Sequence, residues 1–230
     1  MRRKGYFLNA CIIFMLISLQ SFAQKAETPD KPGTIAKAAS FVAALSLTDT
    51  AKAARVTNVI ALHMAAVRDW HNSHPYTLIP AGVDPVNGKV FTQLQRQFII
   101  DSTIPATVHN TLMTGLRNDL TEDQVAILLD KYTIGKLDFT MNGYKAIVTD
   151  MTAAEQDFIL KELKAAREEA VDYKDVKNEM SNIFKIHKTR IEDYFYGNGR
   201  NWKTLYKTYV DKILATKKAG GTDKSTAVEN

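Results

Sequence analysis

Apolar residues return at helical spacing through most of this chain, and that recurrence constrains its fold more than any other feature. Val56, Val59, Ile60, His63, Val67 and Trp70 share one helical face. Leu137, Met141, Tyr144 and Val148 form a second stripe, and Trp202, Leu205, Tyr209 and Ile213 a third. The spacing predicts helices over residues 35–45, 49–72, 91–102, 105–119, 122–132, 137–148, 153–176, 179–196 and 201–216. One local conflict is Asn142-Gly143, a hairpin signal lying inside the second stripe. The stripe and its helical flanks favour a helix there. The expected fold is all-α, an orthogonal bundle or array of about seven to nine helices over residues 34–216. Residues 75–90, with Pro75, Pro80, Gly82, Pro85 and Gly88, form the longest irregular stretch.

The amino terminus has another logic. Arg2-Arg3-Lys4, an apolar run to Leu19 and then Ser21-Phe22-Ala23 are laid out as a cleaved export signal, so residues 1–23 are read as a signal peptide. The run is too short for a spanning helix of about 20 residues. Cys11 precedes most of the run, where a lipidated cysteine would follow it, and the Arg2-Arg3 pair is set against an apolar core that suits the general export route. A periplasmic or secreted location is therefore expected, with cleavage near Ala23-Gln24. Residues 24–33 read as a flexible leader and 217–230 as a disordered polar tail.

Cleavage removes the single cysteine and three basic residues. The 30 basic and 25 acidic side chains of the whole chain become 27 against 25, which leaves no basic field for nucleic acid. Without disulfides, the exported chain must be stabilised by burying its own core.

Helix starts recur at Leu47-Thr48-Asp49, Leu120-Thr121-Glu122-Asp123-Gln124 and Met151-Thr152-Ala153-Ala154-Glu155. The last two have the form of capping boxes with a preceding apolar staple. Leu-Thr-x-x-Gln at 120–124 also resembles the motif of the Spy/CpxP periplasmic chaperones, although helix capping is the simpler account.

Catalytic signatures are sparse. There is no nucleophile elbow, phosphate-binding glycine loop or His-Glu-x-x-His motif. His63 and His187 fall on apolar stripes and read as satisfied core histidines. His71 and His74, three apart and near Asp69, have metal-ligand spacing but sit where a helix runs into Pro75, so no metal and no cofactor are expected. Arg167-Glu168-Glu169 with Asp172 is a dense charged patch, relieved by Lys164 one turn earlier. Tyr196 and Tyr206 lie off the third stripe, available to stack on a sugar or a partner.

The carboxy-terminal half carries a resemblance. Asp130-Lys131-Tyr132-Thr133, Tyr144-Lys145-Ala146, the run Leu163 to Asp172, the run Phe184 to Tyr194 and Gly199-Arg200-Asn201-Trp202 resemble an uncharacterised family, a domain of unknown function. That family comprises exported helical proteins from Bacteroides-type bacteria. Leu45 to Val56 fits it as well, so the resemblance covers most of the mature chain. The chain departs from the family's usual residues at His187, often a tyrosine, and at Glu192, often an asparagine. The resemblance implies association with gene clusters for polysaccharide breakdown, including pectic polymers. It also implies a candidate ligand site at Tyr132, Tyr144, Arg167, Glu168, Asp172, Lys185 and Lys188. Such a set suits an acidic oligosaccharide, with arginine giving bidentate contacts to its carboxylate. The expected function is a non-catalytic binding or accessory protein in glycan use. The alternatives are a Spy/CpxP-like chaperone or partner-binding protein, and a carboxylate-dependent enzyme acting on oligosaccharides through Glu168 and Asp172.

Overall fold

The computed structural model describes residues 32–85, 87–174 and 178–222, so the expected signal peptide and nearly all of the leader lie outside the described residues. Among the described residues there are nine α-helices and no strand, only one isolated antiparallel bridge between Val83 and Val90. The expected all-α multi-helix array is what the chain forms. No helix among the described residues is long and apolar enough to cross a membrane.

Local signals place most helix ends. Helix α1 (Pro32–Ala43) starts on a proline, whose missing N–H costs nothing at a first helical position. Helix α2 (Thr50–Ser73) is capped by Asp49, which accepts from the Lys52 amide. Helix α3 (Gln93–Asp101) follows the 75–90 segment and opens with a Thr92/Gln95 capping box. Helix α4 (Ala106–Asp119) follows Pro105, and α5 (Glu122–Tyr132) opens with the expected Thr121/Gln124 box. Helix α6 (Lys136–Ile147) starts after Gly135, whose φ of 69° admits the turn out of α5. It carries Asn142-Gly143 within its length, so the apolar stripe prevails over the hairpin signal. Helix α7 (Ala153–Glu169) opens with the Thr152/Glu155 box, and α8 (Glu179–Gly197) and α9 (Trp202–Thr222) complete the array.

Two ends differ from the sequence reading. Helix α9 continues to Thr222, six residues past the expected boundary at 216. Helix α7 stops at Glu169, tightens into a 3-10 turn over Ala170–Asp172 and leaves Tyr173 extended, where periodicity continues a helix to 176. The cause is tertiary, because this turn lies between two cores. One core joins α1, α2, α4 and α5 through Ala38, Val56, Ile60, Leu112, Leu116 and Leu128, and Val171 enters it. The other joins α6, α7 and α8 through Tyr144, Ile159, Leu163, Ile183, Ile191 and Phe195, and Ala170 and Tyr173 enter that one. Within the first core, α2 and α4 approach closely at Gly115, where an added Cβ would lie 2.8 Å from both Val59 methyl groups.

Candidate functional site

The turn that separates the cores also sets a chain of polar side chains. His63 lies on the buried face of α2, His109 in the first turn of α4, Tyr132 at the end of α5 and Asp172 in the 3-10 turn. His63 Nε2 lies 2.9 Å from Asp172 Oδ1, and His109 Nδ1 lies 2.8 Å from Asp172 Oδ2. Beneath them the Tyr132 hydroxyl stands 3.2 Å from His63 Nδ1. With protons on His63 Nε2 and Tyr132 OH, each donor in this series meets an acceptor. His63 and Tyr132 are buried, while the His109 ring keeps partial access to solvent.

The arrangement shifts its members in opposite directions. The hydrogen bond from His109 to Asp172 raises the His109 pKa; burial opposes it and the charges of Asp172 and Glu168 reinforce it. Burial pushes the Asp172 carboxyl up, but hydrogen bonds from His109 and His63, with their charges, hold it below the usual carboxylate range. The Tyr132 hydroxyl is pushed well up by burial and then by the Asp172 charge, which keeps it a donor. With its Nδ1 committed to Asp172, His109 has Nε2 left for the surroundings. Glu168 Oε1 stands 3.5 Å from that nitrogen, and Glu168 Oε2 stands 3.8 Å from Arg117 Nη2.

His109, Arg117, Glu168 and Asp172 line a cleft of about 860 Å³ between α4, α5 and α7, to which Lys164 and Tyr173 also contribute. Both cations and carboxylates line it. The Arg117 side chain is 44% exposed and Glu168 is 39% exposed, so both can rearrange around a ligand.

The seven residues expected at one site are divided by the fold. Arg167, Glu168 and Asp172 line this cleft. Tyr132 lies below it, joined to Asp172 through His63. Tyr144 and Lys188 belong to a separate cleft between α6, α8 and α9, and the exposed Lys185 donates to Asn182 on its own helix. Arg167 is buried and donates from Nη1 to Asp130 Oδ2 at 3.0 Å, tying α7 to α5. Its Nε is buried without a hydrogen-bond partner among the described residues, as is Asp130 Oδ1. Asp130 thus engages one nitrogen of the buried Arg167 guanidinium, and Arg117 is the more exposed of the two arginines lining the cleft. Sequence reasoning did not select His109 or Arg117. His63 and His109 lie 109 and 63 positions from Asp172, a separation no local pattern reports.

The expectation for the core histidines is met. His187, buried on α8, bonds Glu162 through Nδ1 at 2.8 Å and Glu169 through Nε2 at 3.1 Å. His71 and His74 do not act as a pair: His74 stacks on Trp70 at 3.7 Å, whereas His71 Nδ1 meets Asp101 Oδ2 at 2.6 Å. Glu179 Oε1 is 3.8 Å from the same nitrogen, so His71, Asp101 and Glu179 hold their candidate ligand atoms within 4.8 Å of one another. One imidazole and two buried carboxylates are a donor set that suits a divalent cation, while the direct His71–Asp101 contact also satisfies both partners without one.

Fold and site thus define an all-helical protein with a histidine–carboxylate relay opening into a mixed-charge cleft. Residues 33–215 match the family model described as "Protein of unknown function (DUF3826)", and the chain belongs to that family. Among the curated proteins none matches it.

Proposed function

We propose that the protein is an exported accessory protein of glycan use that binds an acidic saccharide in the α4–α5–α7 cleft without transforming it. The observation that carries this reading is His109. Its Nδ1 is fixed by Asp172, its pKa is raised, and its remaining ring nitrogen adjoins Glu168 and the cleft. A sugar carboxylate meets charge from His109, Arg117 and Lys164 there, and sugar hydroxyls find acceptors in Glu168 and Glu169. The export signal expected from the sequence and the family resemblance support a periplasmic or secreted setting for such binding.

The alternatives have less support. A carboxylate-dependent enzyme needs an acid held protonated near neutral pH, and Asp172 is shifted the other way. The Leu-Thr-x-x-Gln motif at 120–124 that resembles the Spy/CpxP chaperones is occupied by the Thr121/Gln124 capping box.

Thermal unfolding with oligogalacturonates, and with neutral oligosaccharides as controls, tests the proposal. Saturating acidic ligand should stabilise the protein by about 3 kcal/mol at a hundred times its Kd, and His109→Ala should remove the response. The absence of a shift at about 10 mM of any acidic sugar would overturn the reading.

A further inference from the structure

A second cleft, of about 630 Å³, opens between α6, α8 and α9, away from the His109 relay. Phe139 and Tyr144 from α6, Lys188 and Glu192 from α8, and Trp202 and Tyr206 from α9 line it. Its rings are held in fixed relation. Trp202 lies 5.1 Å from Tyr144 and 6.2 Å from Tyr206, tilted by 46° and 32°. It also stacks 5.7 Å from the wholly buried Phe195, which anchors the indole. The two outer rings face water instead: Phe139 is 81% exposed and Tyr206 is 51% exposed. Large rings that contribute little to either core and flank a concavity belong to a surface that meets something.

Two polar observations define what it meets. Tyr144 is 2% exposed, and its hydroxyl has no hydrogen-bond partner among the described residues. Tyr144 and Glu192 both line the cleft, and burial followed by the Glu192 charge pushes the pKa of that hydroxyl up, so it remains a donor. Burying a hydroxyl without a partner is unfavourable, and a ligand hydroxyl would relieve it. The charged residues of the cleft are one cation and one anion, Lys188 and Glu192, one helical turn apart, with the Trp202 indole N–H turned to Glu192. The cleft therefore has no net charge to attract an anion, and Lys188 disfavours a cation. Flat rings with isolated hydrogen-bonding groups and no net charge suit a pyranose, whose C–H face is apolar and whose edge is lined with hydroxyls.

We infer that the α6–α8–α9 cleft is a second ligand site, for a neutral oligosaccharide. Sugar rings stack on Phe139, Trp202 and Tyr206, while hydroxyls pair with Tyr144, Lys188 and Glu192. The inference does not rest on the acidic-sugar reading of the His109 cleft, and the two are tested through different residues.

Trp202 provides the reporter. The other tryptophan, Trp70, lies on α2, where its indole N–H donates to the Ile100 carbonyl. A Trp70→Phe variant titrated with cellohexaose, mannohexaose and xylohexaose should show a saturable change in Trp202 emission for at least one of them. Calorimetry on the unaltered protein gives the same affinity without relying on that variant. Phe139→Ala and Tyr206→Ala, both at exposed positions, should each weaken binding roughly tenfold or more. Tyr144→Phe should weaken it about threefold to tenfold, and His109→Ala should leave it unchanged. The inference is overturned if none of the three sugars gives heat or an emission change at about 10 mM. It is equally overturned if affinity survives both ring deletions. Concentration-dependent self-association abolished by Phe139→Ala would also overturn it, by making a second copy of the chain the occupant.

Discussion

Replacing Asp172 by asparagine tests the relay most directly. The carboxylate accepts from two histidines at 2.9 and 2.8 Å, and its side chain is 14% exposed. Hydrogen bonds to charged groups contribute about 1.5–3 kcal/mol each. Asparagine retains one acceptor oxygen and turns an amide N–H toward the other imidazole, so one bond is lost outright and the second loses its charge. Relief of the carboxylate's own desolvation offsets part of that. The expected net cost is about 2–4 kcal/mol, which lowers Tm by about 5–15 °C in a domain of this size. The pH dependence is more diagnostic than the size. His109 has a raised folded pKa, so its contribution is complete below the unfolded value of 6.5 and is lost as pH rises through the folded value. Asp172 has a lowered folded pKa, so its contribution is complete above the unfolded value of 3.8 and is lost as pH falls through the folded value. The Tm gap between wild type and Asp172→Asn should therefore be widest between those two unfolded values and narrow on the alkaline side. Circular-dichroism melts at about pH 5.5 and pH 8.5, at fixed ionic strength, measure it. An equal gap at both, or a change below about 0.5 kcal/mol, would show that the histidines gain nothing from the carboxylate.

Gly115→Ala should destabilise the protein by about 1–3 kcal/mol in urea unfolding despite alanine's better helix propensity, because the new Cβ meets both Val59 methyl groups at 2.8 Å. Adding Val59→Ala should restore part of that loss, and an unchanged midpoint in the single variant would refute the close approach of α2 and α4. Tyr132→Phe removes the hydroxyl that stands 3.2 Å from His63 Nδ1 in the buried interior and should cost about 1–2 kcal/mol by the same assay. A neutral result would show that His63 Nδ1 finds its donor elsewhere.

Much of the scaffold is legible locally. Asp49, Thr121 and Thr152 cap the helices they precede, and the stripe Leu137, Met141, Tyr144, Val148 is buried as its spacing requires. The Thr92/Gln95 box follows the same rule and was available to the same reading. The candidate sites are less legible. Arg167 was the natural choice for a ligand carboxylate, yet Asp130 holds it in the interior. Tyr144 and Asp172, grouped together by resemblance, face two different clefts. His187 and Glu192 also differ in role: one bridges Glu162 and Glu169, the other borders the aromatic cleft.

What the sequence determined by itself is the succession of helices and the side each one buries. Caps and apolar stripes act over one to a few turns, so the interactions that decide them are all within reach along the chain. Only the tertiary structure decided that α7 ends at Glu169 and that the next residues serve two cores. It also decided that Asp172 lies between His63 and His109, and that the aromatic rings of α6 and α9 meet across a second cleft. Those partners come from separate helices, and their distances follow from how whole helices pack, through contacts such as Gly115 on Val59, which no single segment contains.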